Sequence, residues 1–284
     1  MLMQGRTDLA MEARQIYQAA ASEGRELPGV RVSEERLGTL TVSTVELSDP
    51  DSARKLGKPP GRYCSLELPE DYSRGRDSFQ RCVEALSRLL RRCMPERFET
   101  VLVAALGNPD ISPDALGSLA AGSLLVTAHL KDREPETFRD FSRLYLCRPG
   151  VLGTSGIESA RQVELLCREL RPQLVAVVDA LAGADAGRLC RSIQVTDSGI
   201  APGSGVGNDR RELSRETLGV PVVAVGMPTV TDAAALGGEG LGGMFLTPRD
   251  IDYQVRRAAR VIGYGLDLAL HPGLTVDDID LLIG

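Results

Sequence analysis

Four aspartates, Asp114, Asp179, Asp197 and Asp232, fall at or just beyond short apolar runs, in stretches rich in glycine and proline. Carboxylates in such places can carry acid–base chemistry, because open α/β sheets hold their ligands at the carboxyl ends of parallel strands. Asp179 is the clearest case. Residues 174–178 read LVAVV, a β-branched run suited to a strand buried on both faces, and Asp179 follows the last valine. Aspartate is also a favoured cap for a following turn, so the residue alone fits either role.

Other chemistries find less support. A serine hydrolase needs a Ser–His pair, and neither His129 nor His271 lies in a recognisable nucleophile motif. Cys64, Cys82, Cys93, Cys147, Cys167 and Cys190 are spread out with no CxxC pair, so no zinc-type cluster is legible and buried thiols are expected. The glycine-rich stretch GSGVGN at residues 203–208 offers successive N–H groups that can cradle an anion. It matches neither of the common phosphate-binding fingerprints.

Elements that would position these residues can be read in order. Apolar spacing predicts helices over residues 8–23, with Asp8 as cap, and over 77–93, 157–170, 250–270 and 276–283. Strands are expected over 30–32, 39–47, 62–68, 100–106, 124–127, 174–178, 192–195 and 221–225. Ser112-Pro113 signals a helix start, which places Asp114 in a first turn where the helix dipole would favour its ionised form. Asp179, after an apolar strand, should instead have its pKa raised by desolvation. The charged stretch 131–143 reads as a helix or an exposed excursion. Alternating strands and helices predict one three-layer α/β domain over residues 1–284, with a mainly parallel sheet flanked by helices.

The chain has 284 residues, 43% apolar and 25% charged, with no tryptophan and a formal net charge of −6. That composition suits a globular core of Leu, Val, Ile and Ala. The negative balance argues against a nucleic-acid surface. No apolar run approaches the roughly 20 residues of a membrane span, and no secretory signal is legible, so an intracellular protein is expected.

Six stretches, taken together and in order, resemble the germination protease family of spore-forming bacteria. They are RTDLAMEA at 6–13, GNPDISPDALG at 107–117, GVLGTSGIE at 150–158, VDALAG at 178–183, IQVTDSGIAPGSGVGN at 193–208 and LGVPVVAVGMPTVTDA at 218–233. The resemblance implies a cytoplasmic endopeptidase of the forespore or spore core that degrades small acid-soluble spore proteins. It implies a phosphorylase/hydrolase-like fold related to hydrogenase maturation endopeptidases, an atypical aspartic-type mechanism without metal or other cofactor, and a homotetramer. The catalytic pair of the family maps onto Asp114 and Asp179. The loops at 150–156 and 198–208 would line the cleft, with Asn108, Gly153, Gly156, Asp197, Gly203, Gly205 and Asn208 as substrate-binding candidates.

Family zymogens carry a removable N-terminal segment, and here only residues 1–5 precede RTDLA: either they are a remnant of that segment and the chain is near its mature form, or its control differs. The chain departs from the family pattern at Gly183-Ala184-Asp185 and at Ala201, where a histidine is common. Two competing readings are a metal-assisted maturation endopeptidase, with Asp114, Asp179 and His129 as ligands, and a non-catalytic or nucleotide-binding protein with GSGVGN as its anion cradle.

Overall fold

The computed structural model describes residues 7–20, 27–72, 74–207, 210–236, 241 and 243–283. Residues 1–5 lie outside the described residues. Its strands are β1 (Val30–Leu37), β2 (Leu40–Leu47), β3 (Gly61–Glu67), β4 (Thr100–Ala105), β5 (Arg143–Cys147), β6 (Leu174–Gly183), β7 (Ser192–Thr196), β8 (Val222–Asp232) and β9 (Phe245–Leu246). The helices are α1 (Ala10–Ala20), α2 (Pro50–Leu56), α3 (Arg76–Cys93), α4 (Leu116–Ala120), α5 (Ala128–Arg133), α6 (Leu152–Ser155), α7 (Ser159–Leu170), α8 (Arg215–Leu218), α9 (Ile251–Leu270) and α10 (Val276–Ile283).

Among the described residues, all nine strands join one mixed sheet in the order β1-β2-β3-β7-β8-β6-β4-β5, with β9 on β8. The segment β8-β6-β4-β5 is parallel. Strands β1, β2, β3 and β7 extend it as an antiparallel wing. Helices cover both faces, as the α/β reading required.

Strand β6 shows why the centre is apolar on both sides. Leu174, Ala176 and Val178 pack with α3, α4 and α9, while Val175 and Val177 pack with α7. Successive strand residues face opposite ways, so both sets must be apolar. Helix α3 turns Val83, Leu86, Leu89 and Leu90 inward, all fully buried. It stops at Met94, directly before Pro95, which cannot continue a helix.

Several expected elements differ. Residues 124–127 form no strand, because the place beside β4 is taken by β5, paired from Thr100↔Arg143 to Ala104↔Cys147. Thr127 instead precedes α5, the helical part of the charged stretch. Strands β6 and β8 run on well past Val178 and Val225, paired with each other as far as Gly183↔Thr231. Asp179 is therefore inside a strand rather than beyond its end. Among the described residues, no helix is long and apolar enough to cross a membrane.

Candidate active site

Strand β4 is the shorter partner, and that difference opens the site. Its last paired residue is Ala105, opposite Val178. One more backbone bond, Leu106 N–H to the Val178 carbonyl at 2.9 Å, closes the ladder. The chain then turns at Gly107, whose φ of +95° suits glycine. A Cβ there would stand 1.9 Å from the Asp114 carbonyl oxygen. Beyond this point β6 has lost its β4 neighbour, and the loop 107–114 fills the gap.

Asp179 is the first β6 residue past that rung. By alternation it faces the same side as Val177, toward α7. Its side chain is buried, and Oδ1 accepts a 3.0 Å hydrogen bond from Ala180 N–H. Burial pushes its pKa well above the ordinary carboxylate value of 3.8, and the charges of Asp114 and then Asp8 add to that. The Ala180 N–H and Arg210 oppose the shift without reversing it.

Asp114 closes a three-residue 3-10 turn, Ser112–Asp114, and is half-buried. Its Oδ2 accepts a 2.8 Å hydrogen bond from Asn108 N–H. The helix dipole expected to favour its ionised form is not built: the turn is one step long, and the five-residue α4 starts only at Leu116. Burial therefore wins, and the Asp114 pKa is raised, with the Asn108 N–H and Arg210 acting against the shift. The expected ranking still holds, since Asp179 is raised further.

Both aspartates line one cavity of about 490 Å³. Its walls include Gly107, Ile111 and Pro113 from the β4 loop, Val151 and Ser159 near α7, and Leu181 and Ala182 from β6. Pro202, Gly203, Val206 and Arg210 close another side, with Thr229, Phe245 and Thr247 from the β8–β9 region. A carboxylic acid and a carboxylate facing one cavity can take a proton from a water and return one to a leaving group.

The other candidates are distributed unevenly. Gly203 lines the cavity. Gly205 packs so closely that a Cβ would stand 2.3 Å from Asp8 Oδ2. Asn108 serves through its backbone N–H, while its side-chain Oδ1 accepts from Asp110 N–H at 3.0 Å. Gly153 and Gly156 are exposed on and after the one-turn α6, and neither lines the cavity, although neighbouring Val151 does.

Asp197 is carried to the opposite edge of the sheet, because β7 runs antiparallel to β8. There its Oδ1 accepts from Arg62 N–H at 2.7 Å. Asn208 lies outside the described residues. His129 is exposed on α5 and does not line the cavity. Among the described residues, no three His, Cys, Asp or Glu side chains are grouped to hold one metal ion.

Asp8 is the residue that sequence reasoning misplaced. It does not cap α1; its carboxylate reaches Ala182 N–H and the Ser204 hydroxyl, each at 2.8 Å. The glycine-rich loop thus meets a carboxylate of its own chain. The signal available was its place in RTDLAMEA, the first of the six ordered stretches. Arg210 was missed too, and nothing in its local sequence singles it out.

Comparison with known proteins identifies the family of the chain. A sequence profile of the germination protease family matches residues 10–245. The germination protease of Caldanaerobacter subterraneus subsp. tengcongensis is 34% identical, over 98% of this chain and 98% of its own length. That of Clostridium perfringens is 33% identical over 97% and 98%. That of Bacillus cereus is 38% identical over 81% of this chain and 64% of its own. Among solved structures, a NiFe hydrogenase maturation protease from Thermococcus kodakarensis aligns at TM-score 0.36 and 20% identity, covering 63% of this chain and 98% of that one. With a profile match over most of its length and relatives above 30% identity along nearly all of it, the chain belongs to the germination protease family.

Proposed function

We propose that this peptidase is an atypical aspartic-type endopeptidase that starts the degradation of small acid-soluble spore proteins at germination, with Asp114 and Asp179 as its catalytic pair. The observation that carries the reading is their placement in one cavity, with Asp179 the more strongly biased toward its protonated form. Asp114, raised less, is the better base: it takes a proton from the attacking water. Asp179 is the acid that protonates the carbonyl oxygen or the leaving amine. Because the two carboxyls interact, their titration belongs to the pair. Loop 202–206, with Gly203 at the cavity, lets a peptide backbone approach closely.

The working form in this reading is a homotetramer in the cytoplasm of the forespore and spore core, without metal or other cofactor. A partly closed cleft in such an assembly admits flexible segments and excludes folded domains. The test is incubation with a purified small acid-soluble spore protein, followed by mass spectrometry of the fragments. One or a few defined cuts are expected, after glutamate. No cleavage would remove the protease reading, and cleavage that a chelator stops while Asp114→Asn and Asp179→Asn variants stay active would replace this mechanism with a metal-assisted one.

A further inference from the structure

We propose that Asp8 is a positioning residue of the Asp114–Asp179 pair: its carboxylate pins the end of β6 to the glycine-rich loop and stands on the wall of the cavity that holds Asp179. The proposal rests on the catalytic reading above, but its geometry stands by itself.

The segment around Asp8 is clamped from several directions. Its N–H donates to the Ala182 carbonyl at 2.8 Å while Oδ2 accepts from Ala182 N–H, so one β6 residue is held on both its backbone groups. Oδ1 accepts from the Ser204 hydroxyl. The Asp8 carbonyl accepts from Gln194 Nε2 at 3.0 Å, and Gln194 Oε1 accepts from Ala10 N–H at 2.9 Å. Lys58, half-buried, donates from Nζ to the Thr7 carbonyl at 2.9 Å. A helix cap needs none of this. Glycine at 205 fits the same arrangement, since a Cβ there would collide with both Asp8 Oδ2 and the Ala182 methyl, at 2.3 and 2.5 Å.

Asp8, Ala182 and Gly203 all line the cavity that holds the pair, and Ala182 is three residues along β6 from Asp179. Removing the Asp8 clamp would release two walls of the site at once. The charged groups acting on Asp179 are Asp114, Asp8 and Arg210, and Lys58 is the cation that senses Asp8. Asp8 therefore pushes Asp179 in the same direction as Asp114 does, toward holding its proton.

Two variants separate pinning from charge. Asp8→Asn keeps the size and removes the charge; Ser204→Ala keeps the charge and removes one pin. The Asp179 titration is followed by carboxyl ¹³C NMR, with Asp179→Asn supplying the assignment, so the readout does not require turnover. In Asp8→Asn the Asp179 midpoint is expected to fall by about one pH unit, the lower end for a neighbouring charge. The alkaline limb of kcat/KM is expected to move down with it. In Ser204→Ala the midpoint should stay in place while kcat/KM falls about tenfold, the low end for one hydrogen bond to a charged group.

An unmoved midpoint in Asp8→Asn overturns the charge role, and wild-type kcat/KM in Ser204→Ala overturns the pinning role. A shifted midpoint in a chain that cuts no protein keeps the coupling and removes the protease reading instead.

Discussion

Gly226 of β8 stands directly opposite Asp179 of β6, and a Cβ at 226 would come within 2.5 Å of the Asp179 carbonyl oxygen and 2.8 Å of Leu181 Cγ. The two strands can run side by side past the end of β4 only because this position carries no side chain. Gly226→Ala should therefore displace β6 at the residue that matters most. Overpacking of this kind costs about 1–3 kcal/mol. A lowered thermal midpoint together with a loss of cleavage is expected. Unchanged melting and unchanged kcat/KM would show that the ladder has slack at Asp179.

Neutralising either member of the pair should abolish cleavage while leaving the fold intact. In Asp114→Asn and Asp179→Asn the amide can neither accept nor release the catalytic proton. Each variant should lose at least about 100-fold in kcat, the low end for a general acid or base. Circular dichroism and fragment analysis on the same samples check this, and a fall well short of that figure would remove the residue from the pair.

Asp179 also makes a stability prediction with a definite sign. Its folded pKa is raised above 3.8, so the unfolded chain gives up this proton first as pH rises. The stabilisation is complete below that value and is lost as pH climbs toward the folded pKa, at up to about 1.4 kcal/mol per pH unit. Asparagine does not ionise. Asp179→Asn should therefore gain stability relative to wild type between pH 4 and pH 7, measured by urea denaturation at both. An equal difference at the two pH values would mean that Asp179 is not held in its protonated form.

Gly107→Ala tests the other side of the site. The turn has φ of +95°, and a Cβ would collide with the Asp114 carbonyl, so the loop must move. The Asn108 N–H would then leave the Asp114 carboxylate. A displacement of about 1 Å can cost 10²-fold in rate. The expected result is a large fall in kcat, with KM for a long protein substrate changed much less. A variant equal to wild type in kcat would place the loop outside the chemistry.

Much of this protein was legible in its sequence, and for identifiable reasons. Helices α3, α7 and α9 announced themselves by periodic apolar residues, and β6 by a run with no polar side chain, because burial on one face or two leaves a pattern along the chain. Asp114 and Asp179 stood out through short ordered stretches resembling one family. Which strands pair, and in which direction, leaves no such pattern, since the ladder is made by backbone groups common to all residues. Only the tertiary structure put β5 beside β4 in place of residues 124–127, and ran β7 antiparallel so that Asp197 left the site. It alone let β6 outrun β4, which buried Asp179 at the cavity wall, and made the turn at Asp114 too short for a dipole to outweigh burial. Asp8 shows the limit most directly. Its hydrogen bonds to Ala182 and Ser204 join residues 174 and 196 positions apart, a distance in sequence across which local spacing carries no information.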